Sequence, residues 1–402
     1  MKFIAIADSD SYLKWAAAFL GALPGGTERE LILIETPVLP SAAQREAALA
    51  VGGVAPERLF SLQLADLLGA LRRESPDAVL VALRGPVAAV LIRMIAELPD
   101  RPVIVTGLPG ISIPATRKAL AFRRQADLFV LHSRREIREF TAMSREYGWT
   151  HRFALATLPF VERRTGAAGT DLVFAAQALV PLTIADRARM LQLLIAAARA
   201  EPSRRVVIKV RGLAGDRQTH DEVVGYPDLL ASIADPPANL VVSTGAMSIA
   251  LNTAQGLMTV SSTAAIEAIA RGIPVIALDV FGVAPQLINP VFEGSGLFGD
   301  ADAVVRREFR NPAPAWLDDN YFHPAEDDDV APQLEALVAA RRQGVLPARE
   351  PARKAGGRLR LAWDRKRAFG ESDRSVAGAV ALAVGTPARA TVIAARRVKR
   401  VL

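Results

Sequence analysis

The chain has 402 residues, with 51% hydrophobic and 23% charged, which are ordinary values for a folded protein. That length suits about two domains of roughly 100–200 residues each. It has no cysteine, which excludes disulfides, thiolate zinc sites and cysteine nucleophiles and fits a reducing cytoplasm, and four scattered histidines argue against a histidine-rich metal centre. The net charge of +7 is uneven: from Gly344 onward fourteen Lys or Arg face four acids, so the rest is slightly acidic, which argues against a nucleic-acid-binding core.

The opening MKFIAIADSD meets acid directly after the run KFIAIA and reads as a strand, not a signal peptide. No apolar run reaches the roughly 18 residues that suggest a membrane span. Further apolar runs at 30–35, 78–83, 102–107 and 127–132 predict buried strands, with helix-period segments such as SYLKWAAAFLGAL and PVAAVLIRMIAEL between them. Apolar strands alternating with helices predict a parallel sheet covered on both faces. The Gly-rich stretch 162–171 predicts a linker. The alternation then restarts, with strands at 171–176, 205–210, 239–244, 256–261 and 273–278 and helices at 184–200 and 263–271. The expected fold is α/β: two tandem doubly wound, Rossmann-like domains facing across a cleft. They cover residues 1–165 and 166–330, followed by a helix at 331–343 and a basic, mobile or loosely docked tail at 344–402. Ligands in such sheets bind outside the carboxyl ends of the strands.

The strand at 256–261 runs into Ser261, Ser262 and Thr263, then two alanines and a helix. A helix N-terminus offers unpaired N–H groups and the positive end of a dipole. Three hydroxyls add donors, and Ala264 and Ala265 keep the approach open, a composition that suits a phosphate. One serine acting as a plain helix cap is the competing reading. RVVIKVRG ends a strand with Lys209 and Arg211, spaced by two so that both can point to one side and neutralise a phosphate. Glu267 lies one turn after Thr263 and could accept hydrogen bonds from a ribose.

The string TVSSTAAIEAIARGIPVIAL, preceded by VVIKVRG and followed by NPVFEGSGLFG, resembles the nucleotide-binding domain of glycosyltransferases of the GT-B fold. More narrowly, it looks like bacterial sialyl- and polysialyltransferases, Kdo transferases and CDP-glycerol glycerophosphotransferases. DLFVLHSRREIREF, QTHDE and WLDDNYFH look like an uncharacterised actinobacterial family of glycosyltransferases. The resemblance implies an inverting, metal-independent and cofactor-free transfer of a sugar, a nonulosonic acid from a CMP-linked donor, to a cell-surface glycan acceptor. It puts the donor phosphate on Ser261, Ser262 and Thr263, the ribose on Glu267, and Lys209 and Arg211 in the family's basic element. KVRG lacks the His-Pro pair that cytidine-using enzymes carry there. A UDP-sugar transferase, a nucleotide-sugar 2-epimerase and a non-catalytic nucleotide-binding scaffold of envelope assembly are the alternatives.

Inverting transfer needs a base for the acceptor hydroxyl. Asp8 and Asp10 after the first strand and His132 after the strand at 127–132 are the candidates. Asp10 is equally a plain N-cap, and His132 equally a half-buried histidine bonded to backbone. No metal is expected on the Asp-Ser-Asp string. Arg117, Lys118, Arg123 and Arg124 suit either an anionic acceptor or a solvated helix face. Trp316, Tyr321, Phe322 and His323, set among acids, either stack on a sugar or base or pin the chain where it crosses back to the first domain. The basic tail would let the protein touch an anionic lipid surface, and nucleic acid is not an expected partner.

Overall fold

The computed structural model describes residues 1–55, 58–159, 169–210, 224–350 and 356–386. Residues 162–168 of the Gly-rich stretch, Arg211, the QTHDE string and residues 387–402 lie outside them.

A first unit runs through β1 (Lys2–Ala7), α1 (Asp10–Ala22), β2 (Glu28–Ile34), α2 (Ala42–Gly52), β3 (Leu59–Leu62), α3 (Leu64–Glu74) and β4 (Ala78–Ala82). It continues through α4 (Gly85–Ala96), β5 (Val103–Gly107), α5 (Arg117–Phe122), β6 (Leu128–Leu131), α6 (Arg134–Glu146) and β7 (Phe153–Leu155). Its seven strands are parallel, in the order β3-β2-β1-β4-β5-β6-β7. A second unit contains β8 (Asp171–Ala175), α7 (Ile184–Ala200), β9 (Val206–Lys209), α8 (Tyr226–Ala231), β10 (Leu240–Ser243) and α9 (Met247–Leu251). After these come β11 (Ala254–Thr259), α10 (Ala264–Ala270), β12 (Val275–Leu278), β13 (Phe298–Gly299) and α11 (Ala301–Val305). Its six strands are also parallel, in the order β10-β9-β8-β11-β12-β13.

Side chains alternate across a strand, so each central strand feeds two cores. Phe3, Ala5 and Ala7 of β1 join the core under α1, while Ile4 and Ile6 join the one under α3 and α4. In the second sheet Leu172 and Phe174 pack with α7, and Val173 and Ala175 with the core that includes α10. Burying each such side chain contributes about 1.5–3 kcal/mol, which is why these strands read as unbroken apolar runs. The orders reverse between β1 and β4 and between β8 and β11. Crevices for ligands form at such reversals.

After α12 (Pro314–Asp319) the chain returns to the first unit. The acids of the 315–329 stretch do the pinning. Asp329 accepts the Leu155 N–H at 2.7 Å, and Asp328 accepts the Thr157 N–H at 2.8 Å and faces His323 Nε2 at 2.8 Å. Trp316 donates to Val291 O at 2.8 Å and stacks on Phe292. α13 (Val330–Arg342) then buries Leu334, Leu337 and Val338 in the core of the first sheet.

Part of the tail expected to be mobile or loosely docked is a helix, α14 (Gly357–Phe369), with Phe369 fully buried in the core under α3 and α4. Its buried residues are only Trp363, Ala368 and Phe369 among many arginines, too sparse to give a readable period. Among the described residues no helix is long and apolar enough to cross a membrane.

Candidate functional site

The hydroxyl cluster lies at the β8/β11 reversal, and its three members are held differently. Ser261 is buried: its N–H donates to Gln177 Oε1 at 2.9 Å, and its hydroxyl accepts from Gln177 Nε2 at 3.1 Å. Ser262 is half-buried, and its hydroxyl accepts the Ala264 N–H at 3.2 Å, which is capping work. Thr263, also half-buried, reaches the first unit, where its Oγ1 accepts the Ile111 N–H at 3.4 Å. Gly110 permits that approach, since a Cβ there would sit 2.6 Å from Thr263 Oγ1. One turn along α10, Glu267 pairs with Lys14 of α1 at 3.4 Å. The junction therefore touches the first unit at two points. α10 has seven residues, so its dipole is short and the hydroxyls carry most of the polar character.

Lys209 ends β9 on the same carboxyl edge, separated from β11 by β8 and so by about 10 Å. Its buried ammonium donates to Val210 O at 2.6 Å.

In the first unit the predicted bases separate. Asp8 is fully buried; its Oδ2 accepts from Arg84 Nε at 2.8 Å and its Oδ1 from the Arg84 N–H at 3.2 Å. Burial pushes its carboxyl above the usual aspartate range, and the Arg84 guanidinium offsets part of that. With each oxygen bonded to Arg84 and no exposed surface, Asp8 anchors the start of α4. His132 is enclosed in a similar way. Trp15 Nε1 is a donor only and lies 3.0 Å from His132 Nε2, so the proton is on Nδ1, which donates to Ala156 O at 2.8 Å. Burial lowers the pKa of His132, with Glu136 pulling the other way, and no ring nitrogen is left to take a proton. Asp10 differs from both. Ser9 occupies the N-cap, and Asp10 opens α1 half-buried, on the same face as Lys14 four residues on. Through Lys14 that face reaches Glu267.

The basic helix start does not form one anionic-acceptor face. Arg123 is buried and donates to Tyr12 Oη at 2.9 Å and Leu83 O at 3.1 Å. Arg117 and Arg124 lie over the Trp149 ring, and Lys118 is exposed. Sequence reasoning did not single out Gln177, Lys14, Arg84 and Gly110. Gln177 stands just after the first strand of its unit, and Lys14 one turn after Asp10. The reversal rule and helix spacing could have found those two.

The family described as "Putative glycosyltransferase (DUF6716)" has a model that matches residues 3–337. The chain belongs to this family. Solved structures agree on the fold. Staphylococcus aureus MnaA, in a co-structure with UDP, is 12% identical with a TM-score of 0.53, over 88% of this chain and 100% of that one. The Methanocaldococcus jannaschii UDP-GlcNAc 2-epimerase, in complex with UDP-GlcNAc and UDP, is 11% identical with a TM-score of 0.55, over 86% and 100%. Likeness at this level establishes the two-domain GT-B fold alone. No curated protein matches the sequence. Membership of this family makes the chain an enzyme of the glycosyltransferase class.

Proposed function

We propose that this glycosyltransferase moves a sugar from a nucleotide-sugar donor to a cell-surface glycan, with inversion and without a metal, and that the donor phosphate docks at Ser262 and Thr263. One observation carries the reading: the hydroxyl junction at the β8/β11 reversal meets the first unit through Thr263–Ile111 and Glu267–Lys14. A donor held there by the second unit would face an acceptor held by the first. In this reading Ser261, fixed by Gln177, shapes the junction. Lys209, its ammonium buried on Val210 O, contributes only longer-range positive charge, Arg211 is the proposed partner of the phosphate, Glu267 exchanges Lys14 for the ribose hydroxyls, and Asp10 is the base.

The finer reading is a CMP-linked nonulosonic acid donor. The Ser-Ser-Thr string at the strand–helix junction is what supports it. The UDP bound in structures of similar fold supports the UDP-sugar alternative. Melting curves with CMP, CDP, UDP and ADP separate the two. A nucleotide at about 100 times its dissociation constant adds roughly 2.7 kcal/mol of stability. A larger shift from CMP or CDP is expected, and equal shifts from all four would remove the cytidine assignment. Ser262→Ala with Thr263→Ala should abolish the shift at a cost of about 1–2 kcal/mol to the apo protein, from the lost bonds to the Ala264 and Ile111 N–H groups. A large apo loss with binding retained would reduce these hydroxyls to capping.

Gly110→Val should drive the loop after β5 away from Thr263. Calorimetric titration with whichever nucleotide gives the largest melting shift is expected to register about tenfold weaker affinity, some 1.4 kcal/mol. Unchanged affinity would mean that the Thr263–Ile111 contact does not shape the nucleotide site.

A further inference from the structure

Beyond residue 337, where the family match ends, the chain builds a surface of its own. α14 packs on α4, and together with α3 they enclose a groove of about 470 Å³. Leu68, Met94, Leu98 and Leu361 give it apolar walls, and Arg72, Arg93 and Arg358 stand around it. None of these three arginines has a hydrogen bond or ion pair among the described residues. Arg93 is only 7% exposed. Burial holds its guanidinium below the usual arginine range, and Glu97 and Asp364 offset only part of that cost. Glu97 is the one carboxylate in the groove's lining, against Arg72, Arg93, Arg358 and Arg365, so the groove carries net positive charge and suits an anion.

The helix at 376–386 borders the same groove through Ala377. It packs inside out. Gly378 and Ala381 are buried, and a Cβ on Gly385 would sit 2.4 Å from the Trp363 ring, so the small residues face inward. Val376, Val380 and Val384 point outward, at 79%, 50% and 55% exposure. Spaced by four, they share one helix face. Exposed valines beside unpaired arginines have the composition of an interfacial helix.

We propose that α14 and the 376–386 helix seat the protein on a bilayer containing anionic phospholipid, with lipid phosphates in the Arg72–Arg93–Arg358 groove and the valine face in the headgroup boundary. A second copy is the poorer occupant, because pairing through this face would bring the two sets of arginines together. The proposal does not rest on the donor reading.

Co-sedimentation of the full chain with phosphatidylcholine vesicles, with and without phosphatidylglycerol, tests it. Binding is expected only to the anionic vesicles, with release at high salt. Arg72→Gln and Arg358→Gln should each weaken it about fivefold, the contribution of one basic residue near such a surface. Val376→Asp with Val380→Asp should abolish it. All these variants should keep the wild-type melting point and the wild-type rate of donor hydrolysis in vesicle-free buffer. Equal binding to both vesicle types, or full binding by the valine variant, would overturn the proposal. So would a wild-type dimer that Val380→Asp splits, which would make a second copy the occupant. Stabilisation by inorganic phosphate without vesicle binding would make the groove a small-anion site instead.

Discussion

Asp10→Asn is expected to slow sugar transfer by about 10²–10⁴-fold, the usual contribution of a positioned general base. Nucleotide-induced stabilisation should survive, because no part of the proposed phosphate site involves Asp10. The expectation rests on position. Of the three predicted bases, Asp8 is closed off by Arg84 and His132 has both nitrogens engaged. Asp10 alone is half-buried at the carboxyl end of β1, on the face of α1 that reaches Glu267. Replacing a carboxylate by an amide in the first turn costs only about 0.3–1 kcal/mol of dipole interaction, so the fold should be intact. Nucleotide release from the donor, measured with Asp8→Asn in parallel, distinguishes the roles. Asp8→Asn should lower the melting point by loosening Arg84, whereas Asp10→Asn should lower the rate alone. A rate for Asp10→Asn within about tenfold of wild type would remove it as the base.

The parallel sheets were legible because the central strands are buried on both faces and so leave unbroken apolar runs. Edge strands left no such mark. β3 is LFSL with its middle residues exposed, and β7 and β13 have three and two residues. The hydroxyl junction was legible as chemistry, but its division of labour was not. That Gln177 takes Ser261, and that Ser262 caps while Thr263 reaches across, depends on partners 84 and 152 residues away. The surroundings of the candidate bases were not legible for the same reason. Asp8 and His132 stand at strand ends as a catalytic group should, yet Arg84 and Trp15, distant in sequence, take up their polar atoms. Aromatics and acids at 315–329 left two readings open, and the bonds of Asp328 and Asp329 to the backbone at the end of β7 and just after it favour the pinning one.

Glu136→Ala should destabilise the protein by about 3–5 kcal/mol, because it orphans two buried donors and a half-buried one, at about 1–3 kcal/mol for each buried group before relaxation. Glu136 is fully buried at the first turn of α6. Its Oε1 accepts from Tyr321 Oη at 2.6 Å and the Ser112 N–H at 3.0 Å, and its Oε2 accepts the His132 N–H at 2.8 Å. Burial, with Glu136 adding to it, holds the Tyr321 phenol well above its usual pKa, so it stays a donor. This one carboxylate therefore ties together the crossing segment, the end of β6 and the loop after β5. For a unit of this size the loss corresponds to a fall of about 10 °C in melting temperature. Tyr321→Phe removes a single donor and should cost about 1 kcal/mol. Ser112 is the neighbour of Ile111, whose N–H meets Thr263, so Glu136→Ala should also weaken nucleotide binding while Tyr321→Phe leaves it nearly intact. If both variants melted alike, water would be replacing the carboxylate, and the loop would owe its place to Gly110 and Thr263 alone.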